Sequence, residues 1–339
     1  MTYPGSTALH HFAVVGAGAW GTTFAKVLAD AGREVVLWGR RDSVVAEITA
    51  DHCNSGYLPG VVLPDTITAT GDLEHALDGA DAVVLAIPSQ SMRENLSVFR
   101  DLIPPAGPVI SLAKGVEIGT GLRMSEVISS VGRISGERVV VLSGPNLARE
   151  IAAGQPTATV LSCVDHVTAV RVQQACVSGY FRPYTITDVI GTEIAGTTKN
   201  VIALATGIAE GLGLGLNTSA SLITRGLNEM TRLGMRLGAR PETFAGLAGL
   251  GDLVATCSSP LSRNRSLGVL LGQGRSVDEA QELTGTLAEG VVSCRSTRDL
   301  ALRHGIDMPI TEAVFQVCHR HAPPEQMIRA LMDRPPTPE

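Results

Sequence analysis

One run of six residues, Gly16-Ala17-Gly18-Ala19-Trp20-Gly21, constrains this chain more than any other feature. It stands directly behind the apolar run Phe12-Ala13-Val14-Val15, and it opens a segment of helical pattern over residues 20–31. A second apolar run, Val35-Val36-Leu37-Trp38, follows. Strand, glycine turn, helix and strand in that order are the opening βαβ unit expected of a doubly wound parallel fold. In that context the glycines permit a tight turn and close backbone approach, and the helix N-terminus offers unpaired N–H groups and positive potential to a pyrophosphate. A glycine-rich turn with no ligand is the alternative, and the complete strand-helix-strand unit weighs against it.

Further strand-like runs occur at residues 81–87, 109–112, 139–142 and 158–161, separated by segments of helical length. Continuous apolar strands alternating with helices imply a mostly parallel sheet buried on both faces. From about Val189 the texture changes to helical patterns punctuated by glycine and proline, without strands. The chain therefore reads as α/β, with an N-terminal Rossmann-type dinucleotide-binding domain and a C-terminal all-α domain. The expected boundaries are a loose N-terminus at 1–11, the dinucleotide domain at 12–188, the helical domain at 189–331 and a loose tail at 332–339. Arg225, Glu229, Arg232 and Arg236 fall on one face of a helix in the second half and read as a solvated stripe.

Length and charge limit the possible functions. A chain of 339 residues suits about two domains at roughly 150 residues each. With a formal charge of −6 and no basic block, a nucleic-acid surface has no electrostatic support. Between Lys199 and Arg225 the only charge is Glu210, yet Gly207, Gly211, Gly213, Gly215 and several hydroxyl residues oppose a membrane span there. That stretch reads as a buried helix, a turn and another helix, with no stable membrane insertion, and its low charge makes a homodimer plausible. The six cysteines show no paired or zinc-binding spacing, and residues 1–11 have no signal-peptide pattern. The expectation is a reduced, cytoplasmic protein without a metal.

The second strand ends in Gly39-Arg40-Arg41, where a site selective for NAD usually carries an acidic residue. Two guanidiniums suit a 2′-phosphate, so NADP(H) is favoured with NAD(H) possible; ordinary surface arginines are the alternative, and Asp42 follows directly. Of 27 basic residues only Lys26, Lys114 and Lys199 are lysines. Lys114 lies at the C-terminal end of an expected parallel strand, and Lys199 lies at the start of the helical half, both at places where ligands gather. Ser262, Arg263 and Asn264 open an expected helix and combine phosphate-binding donors, or else are an N-cap serine followed by solvated residues. Asp252 is read either as an acceptor for Lys199 or substrate, or as a helix cap. Cys257 beside it is read as a small buried residue, and His319-x-His321 is not read as a metal site.

Taken in order, Gly16 to Gly21, Ser111 to Glu117, Leu142-Ser143-Gly144-Pro145-Asn146-Leu147-Ala148, Gly196 to Asn200, Gly249 to Leu253, Ser262 to Arg265 and Glu289-Gly290-Val291 resemble the motifs of bacterial NAD(P)-dependent glycerol-3-phosphate dehydrogenases. The resemblance runs over about residues 12–331. It implies a helical domain like that of 6-phosphogluconate dehydrogenase, and interconversion of dihydroxyacetone phosphate and sn-glycerol 3-phosphate in service of phospholipid synthesis. It also implies that Lys199 is the general acid/base. By the same resemblance Lys114, Gly144, Asn146, Asp252, Ser262, Arg263 and Asn264 touch the small phosphorylated three-carbon substrate. Ala19, Trp20, Arg40, Ala148, Leu287 and Glu289 touch the cofactor beside Gly16, Gly18, Gly21 and Arg41, with Lys114 and Arg263 shared. Asn146 replaces a Ser or Thr, and Leu287 a Val, common in the family. The competing readings are a β-hydroxyacid or 6-phosphogluconate-type dehydrogenase and a non-catalytic NADP(H)-sensing protein.

Overall fold

The structure is a computed structural model, and it describes residues 8–285, 288–333 and 335. Most of both expected loose ends, and Leu287, lie outside the described residues. One eight-stranded sheet is built from β1 (His11–Val15), β2 (Glu34–Trp38), β3 (Ile67–Thr70), β4 (Ala82–Leu85), β5 (Val109–Ser111), β6 (Val139–Ser143), β7 (Thr157–Ser162) and β8 (Phe181–Ile186). The strand order is β3-β2-β1-β4-β5-β6-β7-β8. β1 to β6 run parallel to one another, β7 lies antiparallel to β6, and β8 is parallel to β7. The order reverses at β1, which has β2 on one side and β4 on the other, so a ligand crevice belongs at the C-terminal end of β1. β1 begins at His11, whose backbone amide, with that of His10, donates to the Asp81 carboxylate.

Between the strands run α1 (Ala19–Asp30), α2 (Asp42–Asp51), α3 (Leu73–Leu77), α4 (Met92–Phe99), α5 (Met124–Gly132), α6 (Ala148–Ala152) and α7 (His166–Cys176). Beyond the sheet follow α8 (Val189–Gly211), α9 (Leu216–Arg236), α10 (Pro241–Ala245), α11 (Asp252–Ser258), α12 (Arg263–Gly272), α13 (Val277–Thr284), α14 (Glu289–Arg303), α15 (Pro309–Arg320) and α16 (Pro324–Met332). No helix among the described residues is long and apolar enough to cross a membrane.

The chain packs as two compact units. One holds the chain up to Lys114 with Arg123–Val189; the other holds Gly115–Leu122 with the chain from Ile190 onward. The sheet unit is closed by Phe12, Val14, Phe24, Leu28, Val84 and Leu142, all buried. Sequence pattern places Gly115–Leu122 among the strands, but in the structure it joins the helical unit. Val116 enters that unit's core beside Ile194 and Met230, and Arg303 donates from its two terminal nitrogens to the carbonyls of Gly119 and Thr120 at 2.6 Å each.

In the helical unit, α8 is buried almost throughout, and Val201–Ala209 lies wholly inside the unit's own core. The low charge of that stretch is therefore explained by internal packing. α8 meets α12 backbone to backbone. A Cβ on Gly207 would stand 3.0 Å from the Gly268 Cα and closer still to the Arg265 carbonyl oxygen, and one on Gly211 would stand 2.9 Å from the Gly272 Cα. Gly207-x-x-x-Gly211 and Gly268-x-x-x-Gly272 thus put four side-chain-free positions on the facing surfaces of two helices.

The polar face of α9 differs from the solvated stripe read in sequence. Glu229 is 2% exposed, and its carboxylate accepts from the backbone amides of Ile310 (2.6 Å) and Thr311 (3.3 Å), the first turn of α15. Arg232 and Arg236, although exposed, donate to the carbonyls of Asp307 and His304. Periodicity could not show this, because a charged residue that caps another helix has the same spacing as one that faces water. Burial pushes the Glu229 carboxyl up to about 7, against the opposite pull of the Ile310 and Thr311 amides and Arg232.

Two predictions follow from this packing. Gly268→Ala gains about 1 kcal/mol of helix propensity but drives a methyl into the α8 backbone, so the net loss in urea unfolding should be about 2 kcal/mol; unchanged stability would contradict the backbone contact. For Glu229, a folded value raised above the usual 4.5 gives stability that is full below about 4.5 and lost as pH rises through about 7. Between those limits wild type should lose on the order of 3 kcal/mol relative to Glu229→Gln, whereas parallel pH–stability curves would refute the assignment.

Candidate active site

At the end of β1 the chain turns through Gly16, whose φ of +122° is strained for any side chain and whose Cβ would stand 2.5 Å from the Ala86 carbonyl oxygen. Gly21 packs α1 onto the turn, since a Cβ there would collide with the Gly16 carbonyl. Gly18 differs from both: a Cβ would meet nothing within 4 Å. It is the N-cap of α1, makes no side-chain capping bond, and leads into a first turn without acidic residues. The helix end is therefore open to an anion at the residue where a side chain would stand in the way. The indole Nε1 of Trp20, in the same first turn, is buried with no hydrogen-bond partner. These observations fit a dinucleotide whose diphosphate takes the α1 amides.

Other sequence-predicted cofactor residues gather in the same unit. The Thr23 hydroxyl lies 2.8 Å from the Ala19 carbonyl oxygen and 3.3 Å from that of Ala148, which joins α1 to α6. Arg40 and Arg41 follow β2, and both are exposed, but their surroundings differ. The Arg41 guanidinium stacks 5.0 Å above the Tyr57 ring, and the sequence reading had treated the two arginines alike. Lys114, at the end of β5, donates from Nζ to the Gly144 carbonyl at 3.1 Å. Gly144 has φ +142°, and a Cβ there would crowd Thr159. Two residues on, both amide atoms of Asn146 are buried without hydrogen-bond partners. An amide held dry with neither end satisfied is costly unless a ligand completes it.

The helical unit gathers a second set. Lys199, 6% exposed on α8, donates from Nζ to Asp252 Oδ1 and, at 2.7 Å, to Thr256 Oγ1; the Thr256 hydroxyl in turn lies 3.2 Å from Asp252 Oδ1. Asp252 is 1% exposed. It opens α11 directly after a π-helical turn over Leu247–Gly251, where the Gly251 amide reaches back to the Gly246 carbonyl. Of the two sequence readings of Asp252, acceptor or cap, the structure shows the acceptor. Thr256 was missed, since a lone threonine one turn after an aspartate carries no signal until the partner lysine is known.

Next to Lys199, the Asn200 Oδ1 accepts from Asn264 Nδ2 at 3.0 Å, while Asn264 Oδ1 accepts from the Gly290 amide at 2.8 Å. Asn264 thus ties α8 and α12 to the start of α14, next to Glu289. Ser262 caps α12, its hydroxyl accepting from the Arg265 amide at 3.3 Å, and Arg263 is exposed in the first helical turn. Burial pushes the Cys257 thiol up to about 12, which leaves it a neutral apolar filler. All six cysteines are free thiols. His319 is turned onto the Val291 carbonyl at 2.7 Å, and His321 ends α15 in the left-handed region.

A Rossmann sheet with an open glycine turn, followed by a helical unit with a buried lysine–aspartate pair, defines the class of two-unit nicotinamide-dependent dehydrogenases. Comparison narrows the class. Residues 11–169 match the profile of the NAD-dependent glycerol-3-phosphate dehydrogenase N-terminus, and residues 188–329 that of its C-terminus. The chain is 59% identical over 322 residues to glycerol-3-phosphate dehydrogenase [NAD(P)+] of Corynebacterium glutamicum strain R, covering 95% of this chain and 97% of that one. It is 54% identical to the Streptomyces griseus protein of the same name over 339 residues, covering 100% and 99%. The crystal structure of glycerol-3-phosphate dehydrogenase from Coxiella burnetii superposes with a TM-score of 0.92 at 38% identity, covering 96% and 99%. The chain belongs to the NAD-dependent glycerol-3-phosphate dehydrogenase family.

The Lys199 network makes a direct prediction about stability. Asp252→Ala removes the carboxylate that accepts from a buried ammonium and should cost about 3–5 kcal/mol in chemical denaturation. Asp252→Asn, which keeps an acceptor oxygen, should cost less. A loss below about 1 kcal/mol for Asp252→Ala would show that the pair does not hold the ammonium.

Proposed function

We propose that this protein is an NAD(P)-dependent sn-glycerol-3-phosphate dehydrogenase that reduces dihydroxyacetone phosphate, with Lys199 as the general acid. The observation that carries the reading is the buried Lys199–Asp252–Thr256 network in a family of that activity. When bound, the reduced nicotinamide supplies a hydride to the carbonyl carbon. The chain must then stabilise the oxygen on which charge develops and give it a proton. Asp252 and Thr256 both accept from the Lys199 ammonium, which holds Nζ in one place for that task. In the oxidative direction the same amine accepts the alcohol proton.

The phosphate of the substrate is assigned to the first turn of α12. There the amides of a helix N-terminus combine with the Arg263 guanidinium and the Ser262 hydroxyl, which still has its own proton to donate while accepting from Arg265. Asn264 would support that turn, and Lys114, Gly144 and Asn146 are further residues assigned to the substrate by resemblance to the family. Asn146 is supported by its two unsatisfied amide atoms. The cofactor is assigned to Gly16, Gly18, Ala19, Trp20, Gly21, Ala148 and Glu289, with Lys114 and Arg263 shared. Arg40 is the stronger candidate for a 2′-phosphate, since Arg41 is engaged with Tyr57. NADP(H) is favoured on that ground. The product is a glycerol phosphate of the kind phospholipid synthesis consumes, which suits a cytoplasmic enzyme. A homodimer is part of the reading and would use the exposed start of α9, where Leu216 is 87% exposed.

The test is loss of reduced-nicotinamide absorbance on adding dihydroxyacetone phosphate. Wild type should oxidise NADPH faster than NADH, and Lys199→Ala should lower kcat by at least about 10²-fold with NADPH affinity within twofold. Equal rates with the two cofactors would overturn the Arg40 assignment. Full activity in the variant would remove Lys199 from the acid/base role.

A further inference from the structure

We propose that Asn54, on the loop after α2, is a positioning residue that aims the α1 phosphate-binding turn; the inference rests on the dinucleotide reading above. Asn54 is 1% exposed. Its Nδ2 donates at 3.1 Å to the carbonyl of Ala17, the residue between the first two glycines, and at 2.8 Å to Thr22 Oγ1 on α1. One amide group therefore joins the turn to the first turns of the helix that follows.

The consequence for the ligand comes from peptide geometry. In a planar trans peptide, the C=O of one residue and the N–H of the next point in opposite directions. Holding the Ala17 carbonyl on Asn54 therefore turns the Gly18 N–H away from Asn54. Gly18 is also the residue whose Cα faces open space. Without that bond, the glycine peptides on either side of Ala17 are free to rotate, and the amide donors of the turn lose their common direction.

Asn54 is itself held firmly. Its backbone carbonyl accepts from the amides of Tyr57 (3.1 Å) and Leu58 (2.8 Å), and Leu58 is buried. The neighbouring Ser55 amide donates to Glu47 at 3.0 Å. The same loop carries Tyr57, against which Arg41 stacks, so one short segment supports both the glycine turn and the arginine pair after β2. The two acceptors also fix the amide's orientation, because a rotated amide would set its oxygen against the Ala17 carbonyl. That chemistry calls for a donor, and no motif announces it: a lone asparagine beyond a helix reads as a turn residue.

The experiment is NADPH binding by calorimetry, with the KM for dihydroxyacetone phosphate measured at saturating NADPH. Asn54→Ala should raise the NADPH Kd at least tenfold and leave the triose KM within twofold. Asn54→Asp, which sets an acceptor against the Ala17 carbonyl, should raise Kd more. A Kd within twofold of wild type in a folded Asn54→Ala protein, even one of lowered Tm, would overturn the proposal and leave Asn54 a purely structural residue. Should Asn54→Ala fail to fold, Thr22→Val decides. Removing that one acceptor should raise Kd about threefold, and an unchanged Kd overturns the proposal. Failure of wild type to bind NADPH or NADH would instead overturn the dinucleotide reading.

Discussion

Four glycines let α8 and α12 touch backbone to backbone, and the chemistry of the helical unit is arranged around that contact. With Gly207 against Gly268 and Gly211 against Gly272, the two helices approach more closely than any pair carrying side chains could. Asn200 and Asn264, further along the same helices, then lie within one hydrogen bond of each other. Asn264 passes the constraint to the Gly290 amide, at the start of α14. A helix pair spaced by leucines would hold these groups too far apart for any such relay. The positions that look least informative in sequence thus decide where the polar groups stand.

The buried charges show two different solutions to the same desolvation problem. Lys199 is buried beside a carboxylate and a hydroxyl, so its charge is matched where it stands. Glu229 has no such cation in hydrogen-bonding contact among the described residues; it leans on the amides at the start of α15, and burial raises its carboxyl to about 7. The first arrangement sets a buried amine against two acceptors, which fixes its orientation. The second is a structural cap between α9 and α15, and it makes part of the unit's stability depend on pH. Cys257, on α11 with Asp252 and Thr256, takes neither course and remains a neutral thiol.

Much of the fold was legible because the central strands are buried on both faces and so appear as continuous apolar runs. β3 and β8 escaped for the opposite reason. They are the two edges of the sheet: in Ile67-Thr68-Ala69-Thr70 only Ile67 is buried, and in Phe181-Arg182-Pro183-Tyr184-Thr185-Ile186 only Phe181 and Pro183 are. The reversal of β7 was also invisible, since an antiparallel strand buried in a sheet has no pattern of its own. In the candidate site, the glycine turn and Lys199 stood out through motif and rarity. Thr256 and Asn54 did not, because each acts by meeting a group distant in the chain. Glu229 was misread because helical spacing reports the face of a residue and not what covers it.

The reaction proposed for this chain is hydride transfer to the middle carbon of a triose phosphate. It is tested most directly by incubating the protein with dihydroxyacetone phosphate and NADPH carrying deuterium at both nicotinamide C4 positions, then locating the label in the product by mass spectrometry and NMR. The account predicts sn-glycerol 3-phosphate with one deuterium at C2. NADPH that binds but is not consumed, or product without deuterium at C2, would contradict it.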